Sequence, residues 1–304
     1  LRHSRIWITL AGVVAFAGVN LLVLSRVLQL GPPPPATVAT TTARDQRPVI
    51  QVGVISRYAP RLTYEAYQPV MDYLSTAGTH RYELKLSTSY EDAAEQLKRG
   101  DVSASFFGAW IYSSVGPAFG LVPVLAPRDD AGVATSRAVV ITATDSRIRA
   151  VADLRQRGVA LPSRNSYAAH WFLDECLPDA GLAVTDLDSI HHYGYHQTVV
   201  YRVRDGHDAA GVVKESVAQR FGDGAIRVIA HSDPYPGPPL VVRADDHSPA
   251  LAEMVSLLLA LDPAEEADAR LLASWDNEFS LGFARVDPAT YAPAARRPAE
   301  EARP

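Results

Sequence analysis

Five consecutive residues, Ser163-Arg164-Asn165-Ser166-Tyr167, stand between an apolar run at 159–161 and helically spaced apolar residues that continue to Leu177. Hydroxyl, amide and guanidinium donors at the first turn of a helix suit an anion. The first N–H groups of a helix have no intrahelical acceptor, and the helix dipole leaves partial positive charge there. An arginine adds a bidentate contact to an oxyanion. The same residues also suit plain helix capping, where Asn and Ser are favoured, so both readings stay open. His196 and Thr198 form a second group of this kind, ahead of a helical run that stops at Asp205-Gly206.

Other chemistries lack their residues. His191, His192 and His196 invite a metal, but no His-Glu-x-x-His pattern accompanies them. Cys176 is the only cysteine. It allows neither an internal disulfide nor a cysteine zinc site, and is expected to fill the core. Gly-x-Ser-x-Gly, phosphate-loop and dinucleotide glycine patterns are missing. No catalytic constellation, metal or cofactor is expected. The net charge of −5 over 304 residues, with no long run of one sign, argues against nucleic acid, which needs a clustered basic face.

The elements that must position these groups alternate along the chain. Short apolar or β-branched runs at 49–55, 82–86, 102–107, 121–125, 138–143, 159–161, 209–213, 226–230 and 240–242 read as strands. Helical spacing marks 64–74, 90–98, 148–154, the run to 177, 199–203, 216–221 and 251–261. With 47% hydrophobic residues, the chain can build two cored lobes, and the alternation predicts an α/β fold with mainly parallel sheets.

Ahead of this body, residues 6–24 are apolar apart from Thr9, two glycines and Asn20, with Arg2, His3 and Arg5 before them. That length spans a bilayer, and the basic residues suit a cytoplasmic N-terminus. Residues 1–30 are expected to be a signal anchor and single transmembrane helix, with a cleaved signal peptide as the alternative. The body would then lie on the extracytoplasmic side. Residues 31–48, opening on Gly31 and four prolines, read as an extended linker, and 292–304 as a disordered tail.

Several segments carry a family resemblance together, in order: Val52-Gly53-Val54-Ile55; Tyr67-Gln68-Pro69-Val70 with Tyr73-Leu74; Ser89-Tyr90-Glu91-Asp92 through Gly100-Asp101-Val102; Phe106-Phe107-Gly108; residues 148–154; Tyr195-His196-Gln197-Thr198; and Gly206-His207-Asp208-Ala209-Ala210. Over residues 49–291 the chain resembles the periplasmic phosphate/phosphite/phosphonate-binding proteins, type II solute-binding proteins of ABC importers. The resemblance implies two α/β lobes with the ligand between them. Lobe 1 would hold about 49–137 and 241–291, lobe 2 about 138–240, with crossings near 138–140 and 238–241.

The resemblance also assigns residues. The family's Ser-Thr-Ser-Gly phosphoryl loop corresponds to Arg164, Asn165, Ser166 and Tyr167, and its ligand histidine to His196. Tyr67 and Phe107 match aromatic cleft positions. Glu215 matches a cleft acid, with Lys214 beside it adding positive charge. Ser56, Tyr58 and Tyr112 lie in loops at the same strand ends, where open α/β sheets place ligands. Aminophosphonate binders carry Pro-Gly-Asp-Pro at the second crossing, whereas this chain has Pro236-Gly237-Pro238-Pro239. The expected ligand is therefore a small oxyanion without an amine, phosphate-, phosphite- or phosphonate-like, with a different organic anion as the alternative. Two roles follow: capture for an ABC transporter permease, or sensing for a membrane partner such as a kinase. An exported enzyme has no constellation behind it.

Overall fold

The computed structural model describes residues 46–55 and 57–291. The expected anchor, most of the linker and the tail lie outside these residues, as does Ser56. Among the described residues no helix is long and apolar enough to cross a membrane.

The strands are β1 (Val49–Val54), β2 (Arg81–Leu86), β3 (Ala104–Phe106), β4 (Leu121–Pro127), β5 (Thr135–Ser136), β6 (Ala138–Ala143), β7 (Gly158–Leu161), β8 (Ser189–His192), β9 (Ala210–Lys214), β10 (Ile226–His231), β11 (Tyr235–Pro236), β12 (Leu240–Arg243) and β13 (Phe283–Arg285). The helices are α1 (Pro60–Ala77), α2 (Tyr90–Arg99), α3 (Ala109–Val115), α4 (Tyr167–Trp171), α5 (His196–Arg204), α6 (Glu215–Phe221), α7 (Pro249–Ala260) and α8 (Glu266–Ala273). Helix α4 runs on through a π turn, Phe172–Cys176, to a last turn at Leu177–Asp179.

One sheet has the order β13-β4-β12-β3-β1-β2 and the other β10-β6-β9-β7-β8. They form the two lobes, and the short ribbon β5–β11 lies where the chain passes between them, Tyr235 opposite Ser136 and Pro236 opposite Thr135. The expectation of mainly parallel sheets is corrected. β1–β2, β1–β3, β7–β8 and β7–β9 are parallel, but β12 runs antiparallel to both β3 and β4, and β6 antiparallel to β9 and β10. The strands through which the chain enters a lobe come from the other lobe, so no crossover helix sets their direction.

Local sequence explains the elements that carry the site. Ser89 Oγ accepts the Asp92 N–H at 3.1 Å, Glu91 and Asp92 sit in the first turn of α2, and Lys98 and Arg99 in the last. Gly100 then ends the helix at φ 77°, a left-handed conformation that favours glycine. Pro60 opens α1, where its missing N–H costs nothing. The buried face of α1, including Tyr67, Val70, Met71 and Leu74, joins Phe106, Leu125, Phe279 and Phe283 in the core of lobe 1. A second cluster built on Val140, Leu161, Phe172, Leu177 and Val212 fills lobe 2. Cys176 lies in it, buried, its thiol pushed up to about 12 by burial.

Candidate functional site

The carboxyl ends of five strands meet between the lobes. β1 leads into Ile55 and Arg57, and β3 into Phe107 and Gly108. From lobe 2, β7 leads through a loop to Ser166, β8 to His196, and β9 ends on Lys214. Carboxyl strand ends are where open α/β sheets expose helix N-termini and variable loops. Tyr67, Tyr90, Trp110, Asn165, Tyr167, Tyr235 and Pro238 complete the wall of a cavity of about 40 Å³. That volume is room for about three waters, or for the polar head of a small anion.

The chemistry centres on a buried ion cluster. Arg57 Nη1 donates to Glu278 Oε1 at 2.7 Å and Nη2 pairs with Oε2; Lys214 Nζ lies 3.0 Å from Oε1. The Arg57 and Glu278 side chains are 5% and 2% exposed. Burial alone would raise the Glu278 pKa, but Arg57 and Lys214 outweigh it and hold the carboxyl at about 2. Lys214 falls to about 8, chiefly through burial, with Glu278 opposing and Arg57 adding to the fall. Two cations therefore share one carboxylate. Among the described residues Arg57 Nε meets no hydrogen-bond acceptor.

His196 is neutral. Burial, then Arg57 and Lys214, push its pKa down to about 3. Its Nδ1 accepts the Lys214 backbone N–H at 3.3 Å, which leaves the proton on Nε2 to donate to Ser166 Oγ at 3.1 Å. The Ser166 hydroxyl makes no capping bond at the start of α4. Having accepted from His196, it has its own hydrogen to give.

The lobes are shut on this cavity. The His196 N–H donates to the Arg57 carbonyl at 3.2 Å, and Asn165 Nδ2 donates to Glu91 Oε1 across the mouth. Trp110 of lobe 1 stacks on His170 of lobe 2 with ring centroids 3.7 Å apart. On the far side, three successive residues reach lobe 2: Asp276 pairs with Arg220, Asn277 Nδ2 donates to the Ser216 carbonyl at 3.0 Å, and Glu278 holds Lys214.

Of the residues singled out in the sequence, Tyr67, Phe107, Asn165, Ser166 and His196 line the cavity. Five others do not. Tyr58 is fully buried, its ring 5.6 Å from Phe221 and facing Arg57 and Arg220. Tyr112 packs edge-on against Tyr291, because positions two apart on a helix point to different sides and Trp110 takes the cavity side. Arg164 is exposed at the tip of its turn. Thr198, two residues past His196 on α5, is not part of the cavity wall. Glu215 lines a rear crevice with Ser216, Gln219 and Asn277, 3.4 Å from His231. Sequence reading missed Arg57, Glu278, Trp110, Tyr90 and Tyr235 as site residues. Only Arg57 carried a local signal, a charged residue at the carboxyl end of an apolar strand.

Comparison with known proteins agrees with this architecture. Residues 52–291 match the family described as "ABC transporter, phosphonate, periplasmic substrate-binding protein". The structure is similar to a binding protein component of an ABC phosphonate transporter from Pseudomonas aeruginosa (TM-score 0.67, 15% identity, covering 81% of this chain and 84% of that one). It is also similar to PhnD1 from Prochlorococcus marinus in complex with methylphosphonate (TM-score 0.66, 16% identity, 80% and 94%). A third similar structure is a Xanthomonas citri protein bound to chloride ion (TM-score 0.61, 19% identity, 82% and 98%). With the match running through nearly all of both lobes, the chain belongs to the family of periplasmic substrate-binding proteins of phosphonate ABC transporters.

Proposed function

We propose that the protein captures a small oxyanion, phosphate-, phosphite- or phosphonate-like, between its lobes and presents it to an ABC importer; it performs no chemistry on the ligand. The observation that carries this reading is the excess of buried positive charge, Arg57 and Lys214 against Glu278, beside a cavity walled by both lobes. Ser166 adds a hydroxyl already oriented by His196. Among the described residues lining the cavity there is no carboxylate, which disfavours a ligand carrying an amine. Contacts from both lobes to one anion would give the differential affinity that favours closure. The apolar run at 6–24 supports an extracytoplasmic body tethered to the membrane, a placement that serves a sensor as well as an importer.

Thermal unfolding in millimolar phosphate, phosphite, methylphosphonate and methanesulfonate tests the reading. A ligand at a hundredfold its Kd stabilises by about 2.7 kcal/mol, or roughly 5–10 °C for a body of this size. No upward shift with any of the four would refute oxyanion capture.

A further inference from the structure

We propose that the site selects the singly charged form of its oxyanion over the doubly charged form, and that Glu278 sets this selection as an internal counter-anion. This rests on the oxyanion reading above.

Among the described residues lining the cavity, the ionisable side chains are Arg57, Lys214, His196 and tyrosines. Tyr67, Tyr90 and Tyr235 are all raised by burial and stay protonated. Glu278 does not line the cavity but the crevice behind it, and from there it contacts both cations at once. The cluster sums to one positive charge.

The other titratable groups packed on these elements do not change that sum. His170, stacked on Trp110, is lowered by burial and is neutral near pH 7. Arg220 and Asp276 neutralise each other. The crevice that Glu278 lines also holds Arg128 and Arg137 against Asp129 and Asp130, equal in number, and Glu215, 3.4 Å from His231 on its outer side; Glu91 is exposed at the mouth, bonded to Asn165. One ligand charge therefore balances the site. A second would be enclosed with no partner, which a desolvated site opposes strongly.

His196 at about 3 and Glu278 at about 2 keep their charge across the useful range, and Lys214, at about 8, loses only about a quarter of its own by pH 7.5. Titration calorimetry of the full chain with phosphite between pH 5.5 and 7.5 thus reads chiefly the charge state of the ligand. The second ionisation of such an acid lies near neutrality, about 6 for phosphate monoesters. Above it the singly charged fraction falls tenfold per pH unit, and the affinity should fall with it. In Glu278→Gln no resident anion faces Arg57 and Lys214, a doubly charged ligand can balance both cations, and the profile should flatten or reverse. A wild-type affinity that holds level or rises up to pH 7.5 overturns the selection while leaving oxyanion capture intact. A variant profile parallel to the wild type overturns the role of Glu278. No binding at any pH overturns both the selection and the capture reading. Should Glu278→Gln not fold, Lys214→Met keeps the neutral Arg57–Glu278 pair and should weaken the singly charged ligand at least tenfold at pH 5.5; retained affinity there overturns the charge balance.

Discussion

Replacing Glu278 by Gln keeps the side chain's size and removes the charge that lets two cations lie buried together. The carboxyl is held at about 2 against an ordinary 4.5. Each pKa unit is worth about 1.4 kcal/mol of preference for the ionised form, so the shift corresponds to roughly 3 kcal/mol, the low end of the 3–5 kcal/mol typical for breaking a buried ion pair. At 2–4 °C per kcal/mol for a body of about 240 residues, Tm at pH 7 should fall by about 6–12 °C. Glu278 has a depressed pKa in the folded state, so its contribution is complete above about 4.5 and fades as pH falls toward about 2. Wild type and variant should therefore converge between pH 4.5 and 2. Removing Lys214 as well, as Lys214→Met, should recover part of the loss, since a lone arginine beside an amide is less repelled than a pair of cations. Differential scanning calorimetry of the single and double variants from pH 7 to pH 3 checks all three points. A Glu278→Gln Tm within 2 °C of wild type at pH 7, or a gap that does not narrow in acid, would refute the account of the cluster.

Three further outcomes are expected. Ser166→Ala with Asn165→Ala should weaken oxyanion binding about 10- to 100-fold, the worth of a hydrogen bond to a charged group, and lower Tm of the unliganded protein by a few degrees, because the buried His196 N–H loses its acceptor; unaltered calorimetric affinity would move the site elsewhere. Arg220→Gln leaves the Asp276 side chain, fully buried, without its cation, and should open the lobes, read as a larger radius of gyration by small-angle scattering without ligand; an unchanged radius counts against Asp276–Glu278 as a latch. Gly211→Ala would place its methyl 2.6 Å from Val199 Cγ1 and 2.8 Å from Val203 Cγ2, forcing α5 off β9 at about 1–3 kcal/mol; a Tm equal to wild type would show that this packing yields freely.

The fold was legible because most of its elements announce themselves locally. The capped α2 with Gly100 behind it and the β-branched strand β6 are readable within ten residues. The helices α3 and α8 and the strands β8 and β13 were not, since each is short and takes its order from tertiary packing. The site divided along the same line. Asn165, Ser166 and His196 lie at helix starts after strands, a position sequence spacing can find. The Arg57–Glu278 pair joins residues 221 positions apart, and nothing near Glu278 marks it as other than a solvent-facing acid. Loop membership alone could not tell Arg57 from Tyr58, or Trp110 from Tyr112; which neighbour faces the cavity depends on backbone direction.

The order of strands in the larger sheet also bears on how the chain is made. Lobe 2 takes all its strands from one uninterrupted stretch, β6 to β10, residues 138–231. Lobe 1 is different, because β12 lies between β4 and β3, and β13 at the edge beside β4. Until residues beyond 240 emerge, its sheet is two separate pieces with their edges unpaired, whereas lobe 2 already has every strand it needs. A chain delivered N-terminus first therefore folds its second lobe before its first can close, and any truncation before β12 should leave half a protein with an open, aggregation-prone edge.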